Sequence, residues 1–178
     1  MKVRNLNRGS IVLALAAAAG LAAPLGAAAI DVGQPAPALV VPQLDGAGFD
    51  LGQQRGKVVI VNFWATWCDP CRQETPILED FYKAHHGDGL EIIGLSVNRP
   101  RERDAVQKAV QSVTYPIAIA AEASSNGFGA PRMLPVTYVV DREGIVRARV
   151  SAGTPVTMQL LEETVVPLLR HRDSNATP

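Results

Sequence analysis

The chain is 178 residues long, 47% hydrophobic and 19% charged, with 17 basic and 17 acidic residues and a formal net charge of zero. That length accommodates one domain with a sizeable core. The charge balance gives no electrostatic reason to expect nucleic acid, and no polybasic run points to a membrane surface.

Residues 1–29 do not read as part of the domain. Lys2, Arg4 and Arg8 make a basic start, Ser10 to Ile30 is an uncharged run rich in Ala, Leu and Gly, and Ala27-Ala28-Ala29 precedes Asp31. This is the shape of a secretory signal peptide. The apolar run is also long enough for an uncleaved N-terminal membrane anchor. Either way the domain, residues 30–170, is expected to be exported. No two arginines are adjacent, which argues against the twin-arginine route. Cleavage would remove three basic and no acidic residues, leaving a net charge near −3.

Gly33 to Pro42 is Pro-rich and extended, with room for one short strand, and Leu44 to Gly48 is a turn. Lys57 to Phe63, KVVIVNF, is a continuous apolar run that predicts a strand buried on both faces. Asp69 to about His85 predicts a helix, Leu90 to Val97 a second buried strand, Arg101 to about Ser112 an amphipathic helix and Pro116 to Ala120 a short strand. Ser124 to Leu134 is irregular. After Pro135, VTYVVD and IVRARV flank Asp141-Arg142-Glu143-Gly144, a hairpin with Gly supplying a positive φ. A last helix is expected from Thr154-Pro155 to about Val166, with Pro167 kinking or ending it. Residues 171–178 form a polar tail. The order predicts an α/β fold, a central mixed sheet with helices on both faces.

NFWATWCDPCRQETP, Asn62 to Pro76, holds both cysteines and both tryptophans. Two cysteines in an exported protein usually form a structural disulfide. A bridge spanning two residues closes too small a loop to stabilise the fold much, so reactivity is the better reading. The stretch follows directly on a buried strand, and functional sites of open α/β sheets lie at such strand ends. Helix N-termini leave N–H groups unpaired and carry partial positive charge. Pro70 suits the first helical turn. Cys68 then lies at the helix mouth, where a thiolate is favoured, with Cys71 one turn deeper. Cys68 is read as the attacking sulfur and Cys71 as the one that resolves the mixed disulfide. Trp64 and Trp67 would rim the site, with Trp64 alternatively in the core.

Cys71, Glu74, Leu78 and Phe81 fall on one helical stripe, with Glu79, Asp80 and Lys83 off it. A buried Glu74 would have a raised pKa and could exchange a proton with Cys71. A solvated Glu74 aiding the helix start is the other reading. Zinc needs four ligands. Cys68, Cys71, His85 and His86 supply that number, but adjacent helical histidines point about 100° apart, as 3.6 residues per turn requires. Covalent haem would need His after Cys71, where Arg72 stands. No metal or other cofactor is expected.

VNFWATWCDPCRQETP together with LPVTYVVDREGIV resembles the TlpA/ResA/CcmG group of exported thioredoxin-fold thiol–disulfide oxidoreductases, in the wider redoxin and AhpC/TSA-like superfamily. The resemblance spans about residues 33–170. It implies a thioredoxin-like fold, with Cys68 as nucleophile, Cys71 as resolving thiol and Glu74 as the active-site glutamate. It also implies a cis-proline at Pro135, preceded by Leu134, whose backbone would bind a partner strand. Trp67, Leu134 and Pro135 then form the substrate surface, with Asn62 and Pro70 in support. Asn62 stands where cytoplasmic thioredoxins usually have a buried Asp, which fits Glu74 having taken over the proton-handling role. Thr137 and Asp141 match family positions in the following strand and turn. Pro131 is a rival cis-proline, because FGAPRMLP runs about one residue longer than usual. The G-A-P-E-T string typical of CcmG is missing, so that branch is the less favoured. The peroxiredoxin motif would need Pro and Thr seven and three residues before the cysteine, where Val61 and Ala65 stand.

The expected function is reduction of disulfide-containing substrate proteins, apocytochrome c or copper-site proteins, in the periplasm. Electrons would come from a membrane thiol donor. A net oxidant, or a thiol metallochaperone holding Cu(I) between Cys68 and Cys71, are the alternatives. Asp69 beside the thiolate argues against a strong oxidant.

Overall fold

The computed structural model describes residues 30–171. The segment 1–29, read as signal peptide or anchor, and residues 172–178 of the polar tail lie outside the described residues. Two sheets organise the fold. The larger has the order β5-β4-β3-β7-β8, where β3 is Val58–Trp64, β4 Leu90–Ser96, β5 Ile117–Ile119, β7 Val136–Val140 and β8 Val146–Ser151. β3, β4 and β5 run parallel, and β7 and β8 antiparallel to their neighbours. A small antiparallel sheet, β2-β1-β6, is built from β1 (Leu39–Pro42), β2 (Gly48–Asp50) and β6 (Ser125–Asn126).

β3 is buried at all seven positions, as its unbroken apolar run predicts. Its side chains alternate between two cores. Val58, Ile60 and Trp64 pack with the helices. Val59, Val61 and Phe63 pack with Leu39, Val41 and Phe49 of the small sheet.

The central mixed sheet is as expected, but its two faces are covered by different elements. α1 (Asp69–His85), α2 (Arg103–Ala109) and α3 (Met158–Arg170) all contribute to the first core, through Phe81, Val106 and Val165 among others. The opposite face is covered by the small sheet and by Leu51 of a 3₁₀ turn, Leu51–Gln54. The reason is topological. β3-α1-β4 and β4-α2-β5 step across the sheet in the same direction, and right-handed crossovers then place both helices on one face.

Three boundaries differ from the sequence reading. The helix expected from Arg101 to Ser112 splits into a 3₁₀ turn, Pro100–Glu102, and the short α2. The Glu102 carboxylate accepts the Arg99 N–H at 2.9 Å and so fixes that start. α3 starts at Met158, not Thr154, because Thr157 is the residue whose hydroxyl caps the Leu160 N–H. Pro167 neither ends nor replaces the last turn. Leu169 beyond it is buried, and its carbonyl accepts Arg142 Nη2 at 2.9 Å, which holds the helix to Arg170. The β7–β8 hairpin turns at Gly144, φ 75°, as expected.

Candidate active site

β3 ends at Trp64 and α1 begins at Asp69, so four residues carry the chain from sheet to helix. Cys68 is the N-cap of α1 and accepts the Cys71 N–H on its sulfur at 3.3 Å. Pro70 lies in the first turn, where its missing N–H removes no helical bond. Cys68 and Cys71 form a disulfide with Cα atoms 5.3 Å apart. Cys68 is 5% exposed and Cys71 2%, so the expected order of depth holds by a narrow margin.

The two tryptophans separate. Trp67 is 65% exposed beside the disulfide, whereas Trp64 is buried in the helix-side core, not on a rim. The Leu134–Pro135 bond is the cis peptide of the described residues, which decides between Pro135 and Pro131. Pro135 and Leu134 line a cleft of about 470 Å³ with Pro70, Glu74, Ile77 and the segment 152–157. The sequence-derived positions Pro70, Glu74, Leu134 and Pro135 are thus brought to one place.

Glu74 is buried, one turn from Cys71 on the same helix face. Its Oε1 accepts the Val156 N–H at 2.9 Å, and its Oε2 has no hydrogen-bond partner among the described residues. Burial pushes its carboxyl above the ordinary carboxylate range, against the opposing pull of the Val156 bond. Asn62 is buried and donates from Nδ2 to Thr137 Oγ1 at 2.9 Å, its direct partner across β3 and β7. Asp141 caps the hairpin by accepting the Ile145 N–H at 2.8 Å and pairing with Arg147.

Two features depart from the sequence reading, at Glu79 and at Asp69. Glu79, expected off the inward stripe, is buried; it accepts the N–H and hydroxyl of Thr114, each at 2.8 Å, and pairs with Lys83 at 3.0 Å. Asp69 pairs with Arg72, which weakens its reach toward Cys68. His85 and His86 bind Asp88 and the Leu90 carbonyl at the far end of α1, so they do not meet the cysteines. Sequence reasoning missed Val156 and Asn98. Val156 acts through its backbone, which leaves no sequence signal. Asn98 sits in a strand exit, LSVNRP, without motif spacing.

The arrangement matches known proteins. Residues 32–149 match the AhpC/TSA family. The chain is 35% identical over 129 residues to the thiol-disulfide oxidoreductase ResA of Geobacillus thermodenitrificans, covering 71% of this chain and 72% of the relative. It is 31% identical to ResA of Bacillus subtilis, covering 86% of this chain and 87% of the relative. A solved thiol:disulfide interchange protein of the thioredoxin family from Chlorobium tepidum superposes with a TM-score of 0.64 at 28% identity, over 78% of this chain and 98% of that one. The peroxidase motif does not accompany the family match, since Val61 and Ala65 are buried apolar residues where it needs Pro and Thr. The chain therefore belongs to the AhpC/TSA family, as a thioredoxin-fold thiol–disulfide oxidoreductase of the ResA type.

Proposed function

We propose that the protein is an exported, periplasmic reductase of protein disulfides, acting on substrates such as apocytochrome c or copper-site proteins and recharged by a membrane thiol donor. The observation that carries the reading is a disulfide at the mouth of α1 with a half-satisfied buried carboxyl one turn behind it. The Cys68 thiolate attacks a substrate disulfide, forms the mixed disulfide and releases one substrate thiol. Cys71 gives its proton to Glu74 and attacks the Cys68 sulfur. The second substrate sulfur leaves and takes up a proton. Two electrons have passed to the substrate, and the enzyme is left as the Cys68–Cys71 disulfide. The membrane donor returns the two electrons by the reverse exchange. Trp67, Leu134 and Pro135 form the surface that receives the substrate. No described helix is long and apolar enough to cross a membrane. Export and any anchoring therefore rest on the sequence of residues 1–29.

Insulin reduction tests the activity, with Cys68→Ser as control. Turnover that survives this substitution contradicts the mechanism. Equilibration with glutathione tests the direction. A potential near about −270 mV is expected for a reductant, and one near about −120 mV would make the protein a net oxidant.

A further inference from the structure

The turn that delivers Cys68 is held by Asn98, two residues past the end of β4 and 3% exposed. Asn98 Oδ1 accepts the Thr66 N–H and the Ser96 hydroxyl, each at 2.9 Å. Its Nδ2 donates to Thr66 Oγ1 at 2.8 Å and to the Glu102 carboxylate at 3.2 Å. Both acceptor sites and both donor hydrogens of the amide are used. The Thr66 carbonyl accepts Arg72 Nη1 at 2.9 Å, so Thr66 is fixed through three atoms, two of them by Asn98. The Cys68 N–H then closes on the Ala65 carbonyl at 3.1 Å, and Cys68 emerges as the N-cap.

We infer that Asn98 is a positioning residue for the exchange reaction: it clasps the Ala65–Cys68 turn so that the Cys68 sulfur stays at the N-terminus of α1 once the disulfide opens. The inference rests on Cys68 being the nucleophile. In the oxidised protein the bond to Cys71 holds the sulfur by itself. In the reduced protein that bond is gone, and the clasp and the Cys71 N–H remain. A sulfur free to drift from the helix mouth loses thiolate stabilisation. Loss of the clasp therefore destabilises the reduced form and favours the disulfide.

The test is Asn98→Ala in the full chain, reduced and treated with iodoacetamide across pH, with the modified cysteine identified by mass spectrometry. Cys68 alkylation at pH 7 is expected to slow about tenfold. The glutathione equilibrium should move toward the disulfide by a similar factor, about 30 mV. If Asn98→Ala does not fold, Thr66→Val removes only the Oγ1 contact and should shift both in the same direction by about threefold, a smaller loss of thiolate. A folded Asn98→Ala protein with a lowered Tm but wild-type alkylation and equilibrium would overturn the proposal and leave Cys68 as the nucleophile. Wild-type protein alkylated first at Cys71 would overturn the nucleophile assignment, and the proposal with it.

Discussion

Glu74 and Glu79 lie five residues apart on one helix, both buried, and their surroundings push them in opposite directions. Burial is the largest influence on each and raises both. At Glu79 the bonds from the Thr114 N–H, Lys83 and the Thr114 hydroxyl outweigh it, and the pKa falls below the usual value. At Glu74 a single backbone bond does not, and the pKa stays raised. The raised member, Glu74, is the one proposed above to exchange a proton with Cys71. The sign of the linked stability follows. A raised carboxyl favours folding fully below its unfolded pKa, about 4.3, and that contribution is lost as pH rises through the folded value. Glu74→Gln should therefore have a higher Tm than the wild type at pH 7, with the gap closing in acid. In single-turnover exchange the same variant should slow the resolving step by about a hundredfold. A Tm gap that does not change with pH, or an unchanged resolving step, would contradict the assignment. The stripe of Cys71, Glu74, Leu78 and Phe81 left Glu74 open between a buried and a solvated reading, and the family resemblance favoured burial. Glu79's burial was not legible, because its partner Thr114 is 35 residues away in sequence.

At the scale of elements, the strongly patterned segments could be read in advance and the weakly patterned ones could not. The boundaries of α1, Asp69 and His85, follow from Pro70 and the apolar stripe. β2 and β6, with three and two residues, have no room for a period and exist by pairing with β1. The start of α3 was misplaced because Thr154-Pro155 mimics a helix start, while Val156 in fact gives its N–H to Glu74. β4 contains a close approach that its apolar run conceals. A Cβ at Gly94 would lie 2.6 Å from Ile117 Cδ1 and 3.2 Å from Tyr115 Cε2. Gly94→Ala should cost about 1–3 kcal/mol, as overpacking of a filled core does. Urea unfolding measures this, and an unchanged midpoint would show that the neighbours yield freely.

Across the whole molecule, the helices gather on one face of the sheet and the small sheet on the other, and the exit of β3 meets the start of α1 at one pole. There the disulfide, the Leu134–Pro135 segment and Glu74 converge. The cysteine spacing and the strand-to-helix order made the position of the sulfurs legible, at a strand end, while Leu134 and Pro135 were expected there only through the family resemblance. The sharing of the two faces was less so, because it depends on the order of strands across the sheet, which a linear pattern does not carry. The central claim is the division of labour between two sulfurs three residues apart. It is tested most directly by trapping. Cys71→Ser and Cys68→Ser proteins are each mixed with a disulfide-bonded peptide, quenched with acid and weighed by mass spectrometry. The account predicts that Cys71→Ser accumulates a mixed disulfide through Cys68 and that Cys68→Ser accumulates almost none. Accumulation in Cys68→Ser, through Cys71, would contradict it.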